Sequence, residues 1–545
     1  MKKKIISVLL SLIMIFSLSA NVSAIGNDLP VATNTLNKIL DSFRKALKNG
    51  DEYLSLTEYG LYDDESKTLY YGLYDLFVYN CNDTGSFKLG KYNESYVTLD
   101  LISSSGNITG VKIKYDDHYV DENGKFNKEQ LEKDKKLVSE RYRKALSVVK
   151  RNMTDVEKAL ALYDYLLTIT DYPASIGQHG TESYPTDSYK AYGLLRDGYS
   201  TCLAYSKLYA ILLNESGVKA VTVGSDTIAH EWVMVCIDGE WYHCDPTWDD
   251  FVTSYGLTTF FHPNDDEYDR GAVSHEYFLK SDEEFLEMDH IDWEVSFTAN
   301  PDRILETPKS GESGKFDDKF FSYNNEKFLC FTAMWCINGN WYFADEESNS
   351  VVRTTIDGEP EYISLPDENE YIRYIFSYEN DLYVSTDESV YRFDTVSDKY
   401  DKIFAVSATY PGDENKYTVF SEMSIIYDEM TLTTADYEYT NDEDADEWFS
   451  NINFSTETYP MSEIRFKEPV GDNEEKTVSA SRDTLEINEK IRTIVSDEVP
   501  QPISPVDSTA VQKRSSSLIY LIIGVVVLGI TAAAVIAALI IHKKR

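Results

Sequence analysis

Histidine and cysteine are scarce in this chain: eight and six among 545 residues. Six cysteines over that length do not make a disulfide-built scaffold, so Cys81, Cys236, Cys244, Cys330 and Cys336 read most simply as small core residues. Basic residues are short as well. Lys plus Arg number 51 against 93 Asp plus Glu, a formal net charge of −42, which disfavours nucleic acid and anionic membrane surfaces as partners. A glycine is missing where a calcium loop needs one: Asp442, Asp444 and Asp446 have the ligand spacing, but the sixth place is not glycine, so that run reads as a solvated loop. No motif calls for a cofactor.

What is present begins with the two ends. Lys2-Lys3-Lys4, an apolar run from Ile5 to Leu18 and Val22-Ser23-Ala24 predict a signal peptide over 1–24. Leu518 to Ile541 carries no charge and is long enough to cross a bilayer, and the basic residues 542–545 behind it stay cytoplasmic. The expectation is an ectodomain outside the cell membrane on one C-terminal span. Between the ends, 25–135 reads as a small α+β domain, with a helix near Thr33–Lys48 and strands such as Leu73–Tyr79 and Ile108–Tyr115. A long helix near Asn127–Lys150 and a capping box at Thr154 and Glu157 lead into a domain over 136–304. Residues 305–470 turn all-β. Asn340-Trp341-Tyr342-Phe343 is echoed by Asp381-Leu382-Tyr383-Val384, and Val351-Val352-Arg353 by Val390-Tyr391-Arg392, a period near that of a propeller blade. About four blades would fit; a β-sandwich or open sheet array fits nearly as well. Residues 471–517, with Pro500, Pro502, Pro505 and a serine run, read as a flexible acidic stalk.

The chemistry concentrates in GYSTCLAYSKLYAILL and AHEWVMVCIDGEWYHCDPTW. Asp238-Gly239 between two alternating apolar runs predicts a two-residue hairpin turn. Cys236 then faces Trp241, Met234 faces His243, Trp232 faces Asp245 and His230 faces Thr247, all on one side of the sheet. His230 and Asp245 become diagonal neighbours, close enough for an imidazole–carboxylate hydrogen bond; a one-residue slip would separate them. The apolar positions from Leu203 to Leu212 predict a helix that opens at Cys202 and stops near Gly217. In its first turn the unpaired N–H groups and the helix dipole favour a thiolate and an oxyanion.

These motifs resemble the transglutaminase-like superfamily, the papain-related group with a cysteine at a helix start, a histidine followed two residues on by tryptophan, and Asp-Pro-Thr-Trp. Here they are Cys202, His230 with Trp232, and Asp245-Pro246-Thr247-Trp248. Ser200 and Ala204 stand where many members have glycine. The helix Asp155–Thr170 and HEYFLKSDEEF at 275–285 resemble bacterial members, and the likeness runs from about Thr154 to Trp293. It implies an α+β fold with a Cys-bearing helix on an antiparallel sheet. It also implies acyl chemistry at a protein or peptide amide, with Cys202 as nucleophile, His230 as proton shuttle and Asp245 as its orienting group. The Cys202 N–H would be one oxyanion donor, the second unassigned, and amine transfer and hydrolysis stay equally open.

Several rival readings attach to the same residues. His243 shares the deduced face and is a second candidate base. Asp245 could simply cap the strand, and Trp232 and Trp248 could be core aromatics. A zinc set from Cys236, His243, Cys244 and Asp245 is disfavoured because Cys244 points away from Cys236 and His243. The whole domain could be a scaffold in an inactive surface binding or adhesion protein, and the β region could bind a protein or glycan partner.

Overall fold

A computed structural model describes residues 29, 31–63, 67–170, 172, 188–250, 273–298, 307–310, 314–320, 332–345, 348–406, 416–439, 449–465, 467 and 469. The chain divides into two compact units, Met1–Leu485 and Glu486–Arg545, and every described residue belongs to the first. The expected leader, the stalk, the terminal span, Cys330 and the 442–446 acidic run lie outside the described residues. Among the described residues, no helix is long and apolar enough to cross a membrane.

The N-terminal region opens with α1 (Thr33–Asn49), which buries Leu36, Ile39, Leu40, Phe43 and Leu47 along one stripe. The expected strand at Leu73–Tyr79 is instead part of a helix, α2 (Thr68–Thr84). The aromatic run suggested a strand, but Leu69, Leu73, Leu76, Phe77 and Cys81 are the buried positions, and that is helical spacing. β1 (Tyr53–Ser55) joins β4 (Val97–Ser104) and β5 (Asn107–Tyr115) in a small antiparallel sheet, and β2 (Ser86–Leu89) and β3 (Tyr92–Ser95) pair with each other. Next come α3 (Lys128–Ser147), with Asn127 as its N-cap, and α4 (Asp155–Ile169), entered through the Thr154–Glu157 capping box.

The central region is a five-stranded antiparallel sheet backed by helix. In chain order its parts are α5 (Ala191–Asp197), α6 (Cys202–Glu215), β6 (Lys219–Ser225), β7 (His230–Ile237), β8 (Glu240–Cys244), α7 (Pro246–Asp249), β9 (Phe278–Lys280), α8 (Asp282–Glu287) and β10 (Glu294–Thr298). The sheet order is β10-β6-β7-β8-β9. Asp238 and Gly239 have φ of 53° and 91°, both positive as a type I′ turn requires. Cys236 accordingly pairs with Trp241, Met234 with His243 and Val233 with Cys244. The ladder ends there. Asp245 does not continue it opposite Trp232, nor Thr247 opposite His230, because Asp245 leaves the strand to cap α7, whose first residue is proline. Val233, Val235, Tyr242 and Cys244 join the large core shared with α4 and α6. Trp232 and Met234, on the opposite face, join a smaller core with Val221, Val223 and Phe285.

Three antiparallel sheets follow. The first holds β11 (Trp335–Ile337), β12 (Asn340–Asp345), β13 (Ser350–Thr354) and β14 (Glu361–Ser364). The second holds β15 (Ile372–Tyr378), β16 (Asp381–Thr386), β17 (Ser389–Asp394) and β18 (Lys399–Ala405). The third has three strands, β19 (Lys416–Ile426), β20 (Glu429–Tyr439) and β21 (Phe449–Pro460). The sequence echoes therefore fall on equivalent strands, β12 with β16 and β13 with β17. Strand alternation sorts the side chains between layers. Trp341, Phe343 and Val352 face the large core, while Tyr342, Ala344 and Val351 meet Leu382, Val384 and Phe393 of the second sheet. Tyr383 and Val390 meet Met423 and Leu432 of the third. Asp164, buried in α4, ties the first sheet to the central region: Oδ1 lies 2.7 Å from His275 Nε2, and Oδ2 accepts the Met334 N–H at 2.5 Å.

Candidate active site

Gly198, at φ 80°, ends α5 in a left-handed cap and lets the chain reverse within a few residues. The Ser188 carbonyl then holds the turn by accepting the Ser200 and Thr201 hydroxyls at 2.5 and 2.9 Å. Ser200 is thus a buried tether. Cys202 is the first residue of α6 and 8% exposed, which puts its thiol at the positive end of the helix. One turn on, the Ser206 hydroxyl donates to the Glu231 carbonyl at 2.8 Å. Cys202 and Ser206 share a helix face, so this bond fixes the rotation of α6 against the start of β7, where His230 stands. Nothing in the sequence analysis singled out Ser206.

His230 Nε2 lies 2.6 Å from Asp245 Oδ2, and the Cys202 side chain acts on the same ring, favouring its protonated form. With Nε2 engaged by Asp245, Nδ1 is the nitrogen left for the thiol. Asp245 is fully buried and accepts on both oxygens. Oδ1 takes the Thr247 and Trp248 N–H groups at 2.9 and 3.3 Å, and Oδ2 takes His230 and, at 3.0 Å, His290 Nε2. It therefore caps a helix and holds imidazoles at once. Below it, the Tyr163 hydroxyl sits 2.8 Å from the Asp245 carbonyl and 2.6 Å from Asp249 Oδ2.

Burial penalises both members of the His230–Asp245 pair, and the pairing overrides it. The Asp245 carboxyl, which burial alone would raise, is held well below the usual carboxylate range by His230 and His290. His230, which burial alone would lower, is pushed up to about 10 by Asp245 and Cys202. Asp249 is the contrast. Burial raises it to about 6, although Ser274, Tyr163 and the Tyr277 N–H all donate toward it.

The other residues weighed from the sequence are placed as follows. His243 is fully buried, with Nδ1 accepting from Trp232 Nε1 at 2.9 Å and Nε2 2.9 Å from Asp282 Oδ1. Both nitrogens are engaged away from the thiol, and burial lowers its proton affinity. Trp232 is a fully buried core residue stacked on His230 at 5.9 Å between ring centroids, and Trp248 covers the imidazole from another side at 5.7 Å. Cys236, His243, Cys244 and Asp245 are not brought together, since the Cys244 sulfur accepts the Leu279 N–H inside the core. Cys81, Cys202, Cys236, Cys244 and Cys336 are free thiols. Atoms of His230, Asp245 and His290 lie within 4.8 Å of one another, but the hydrogen bonds above already engage them and we assign no metal ligand. His290 escaped the sequence analysis because it is far from the motifs in sequence; its signal was a rare histidine inside the segment that resembles bacterial relatives.

The model of the transglutaminase-like superfamily matches residues 143–246, a span that contains Cys202, His230 and Asp245. Over this segment the chain resembles the transglutaminase-like superfamily. No curated protein matches the chain. Among solved structures, a TGase shares 17% identity over 29% of this chain and 45% of its own, with a TM-score of 0.20. A candidate cysteine protease from Cytophaga hutchinsonii shares 14% identity over 28% of this chain and 62% of its own, with a TM-score of 0.15. The chain thus spans less than two thirds of either protein. The transglutaminase-like domain is α+β, as expected, and an all-β region follows it.

Proposed function

We propose that this protein is a cysteine enzyme of the transglutaminase-like type, held at the cell surface by a C-terminal membrane anchor, that transfers or hydrolyses the acyl group of a protein or peptide amide. The observation that supports the reading is the set of side chains formed by Cys202 at a helix tip, His230 acting on it, and the ionised Asp245 at 2.6 Å from the His230 ring. In the first half-reaction the Cys202 sulfur bonds to the amide carbon and the carbonyl π electrons move onto oxygen, beside the Cys202 N–H. The C–N bond then breaks, His230 gives its proton to the departing nitrogen, and a thioester remains. In the second, His230 takes a proton from water or an amine as that nucleophile attacks the thioester, and the sulfur leaves as thiolate. Asp245 keeps the ring oriented throughout and is not itself protonated.

The test is ammonia release from a glutamine-containing peptide by the full chain, with and without added amine. Cys202→Ser and His230→Ala are expected to lose activity by roughly 10³-fold or more, and incorporated amine separates transfer from hydrolysis. Ammonia release equal in the unmodified protein and Cys202→Ser ends the proposal.

A further inference from the structure

We propose that His290 is a positioning residue of this site, a second imidazole that acts on His230 through Asp245. The inference rests on the reading of Cys202, His230 and Asp245 just given. The His290 ring is fully buried. Its Nδ1 lies 3.0 Å from the Met288 carbonyl oxygen and its Nε2 3.0 Å from Asp245 Oδ2, the oxygen that also meets His230. The two contacts engage both ring nitrogens, and Asp245 Oδ2 is divided between two imidazoles.

The consequence is specific. By meeting the same Oδ2 as His230, His290 fixes the rotation of the carboxylate. By donating to that oxygen, it limits how strongly Asp245 retains the proton on His230. The charged and titratable groups around His290 come from four elements. They are Asp245 at α7, His230 from β7 at 5.7 Å between ring centroids, His243 from β8, and Tyr277 ahead of β9 at 5.5 Å. The competing explanation is that the ring only fills a cage, since Trp232, Trp248 and Phe285 surround it at 4.8, 4.7 and 4.5 Å between centroids. A cage filler is replaceable by phenylalanine with no effect on titration. A ring that donates to Asp245 Oδ2 is not.

The experiment uses the full chain and an epoxysuccinamide probe, with modification of each cysteine followed by mass spectrometry from pH 5 to 11. Opening the epoxide forms an S–C bond, breaks a C–O bond and needs a proton for the alkoxide, so the rate at Cys202 requires both thiolate and imidazolium and follows a bell. In His290→Phe the alkaline limb is expected to move up by roughly one pH unit, because Asp245 then serves His230 alone. His290→Gln, which can still offer an N–H toward Asp245, is expected between the two and covers the case in which the Phe variant fails to fold. A folded His290→Phe or His290→Gln variant whose alkaline limb coincides with that of the unmodified protein overturns the inference while leaving the proposed function standing. Labelling in the unmodified protein that ignores His230, tested with His230→Ala, removes both.

Discussion

Two hairpins of this protein are written in nearly the same letters, Cys236-Ile237-Asp238-Gly239-Glu240-Trp241-Tyr242 and Cys336-Ile337-Asn338-Gly339-Asn340-Trp341-Tyr342. Both turn through two residues of positive φ, 53° and 91° in the first, 54° and 85° in the second. Both set the cysteine opposite the tryptophan. Each second arm even runs on to an aspartate. Asp345 accepts from the Ser348 N–H at 3.0 Å and from the Ser348 hydroxyl, tying the turn that follows its strand. Asp245 does the same for Thr247 and Trp248 with one oxygen, and presents the other to two imidazoles. The turn therefore dictates register in both places, while the chemistry at the first comes from what gathers at its far end: the opening residue of its own strand β7, the tip of α6 and the chain after α8.

The largest expected difference between the hairpins is in stability. Asp245→Ala strips the acceptor from two buried imidazoles and two N–H groups, and should cost about 3–5 kcal/mol. Asp345→Ala loses a turn tie and should cost about 1 kcal/mol. Denaturant midpoints measure both, and equal losses would erase the distinction drawn here.

A second difference lies in pH dependence. His230 keeps its proton from its ordinary 6.5 up to about 10 in the folded state. The stability it supplies with Asp245 is thus complete below the lower value and lost as pH rises through the upper one. Asp245, held well below its ordinary value, gives up its share only in strong acid. The melting temperature should fall between pH 7 and 10 by a margin worth roughly 2–4 kcal/mol. In His230→Gln that fall should flatten. An unchanged slope in the variant would show that the pair does not govern it.

The smallest effect sharpens the comparison most. Gly239 and Gly339 have open space where a Cβ would go, so alanine costs only the left-handed backbone, about 1–2 kcal/mol at either turn. The two variants should destabilise alike, yet only Gly239→Ala should slow modification of Cys202, through register at the site. Cys236 and Cys336, both partly buried with thiols raised by burial, serve as internal controls. Slowing of Cys202 by both variants would count against a register effect.

Much of this was legible in the letters because it rests on local rules. Asp-Gly fixes a type I′ turn, alternation fixes the faces, and Gly217 and the capping box at Thr154 bracket helices; the forty-residue echoes fell on matching strands for the same reason. What was not legible depends on the third dimension. Asp245 stepping out of its strand needs the competition between ladder and helix cap at Pro246. Ser206 matters only because α6 lies against β7, and His290 reaches Asp245 only because α8 folds back across the sheet. The strand expected at Leu73–Tyr79 failed where tertiary burial of one helical stripe outweighed an aromatic-rich composition.

The bond from the Met334 N–H to Asp164 limits how this protein can be cut for biochemistry. A fragment ending where the family match ends, at residue 246, would strip that carboxylate of both partners, His275 and the Met334 N–H, and would bare the faces that Trp341, Phe343 and Val352 cover. The smallest sound piece for crystallisation or assay therefore reaches into the first four-stranded sheet, well past the borders that homology alone would choose.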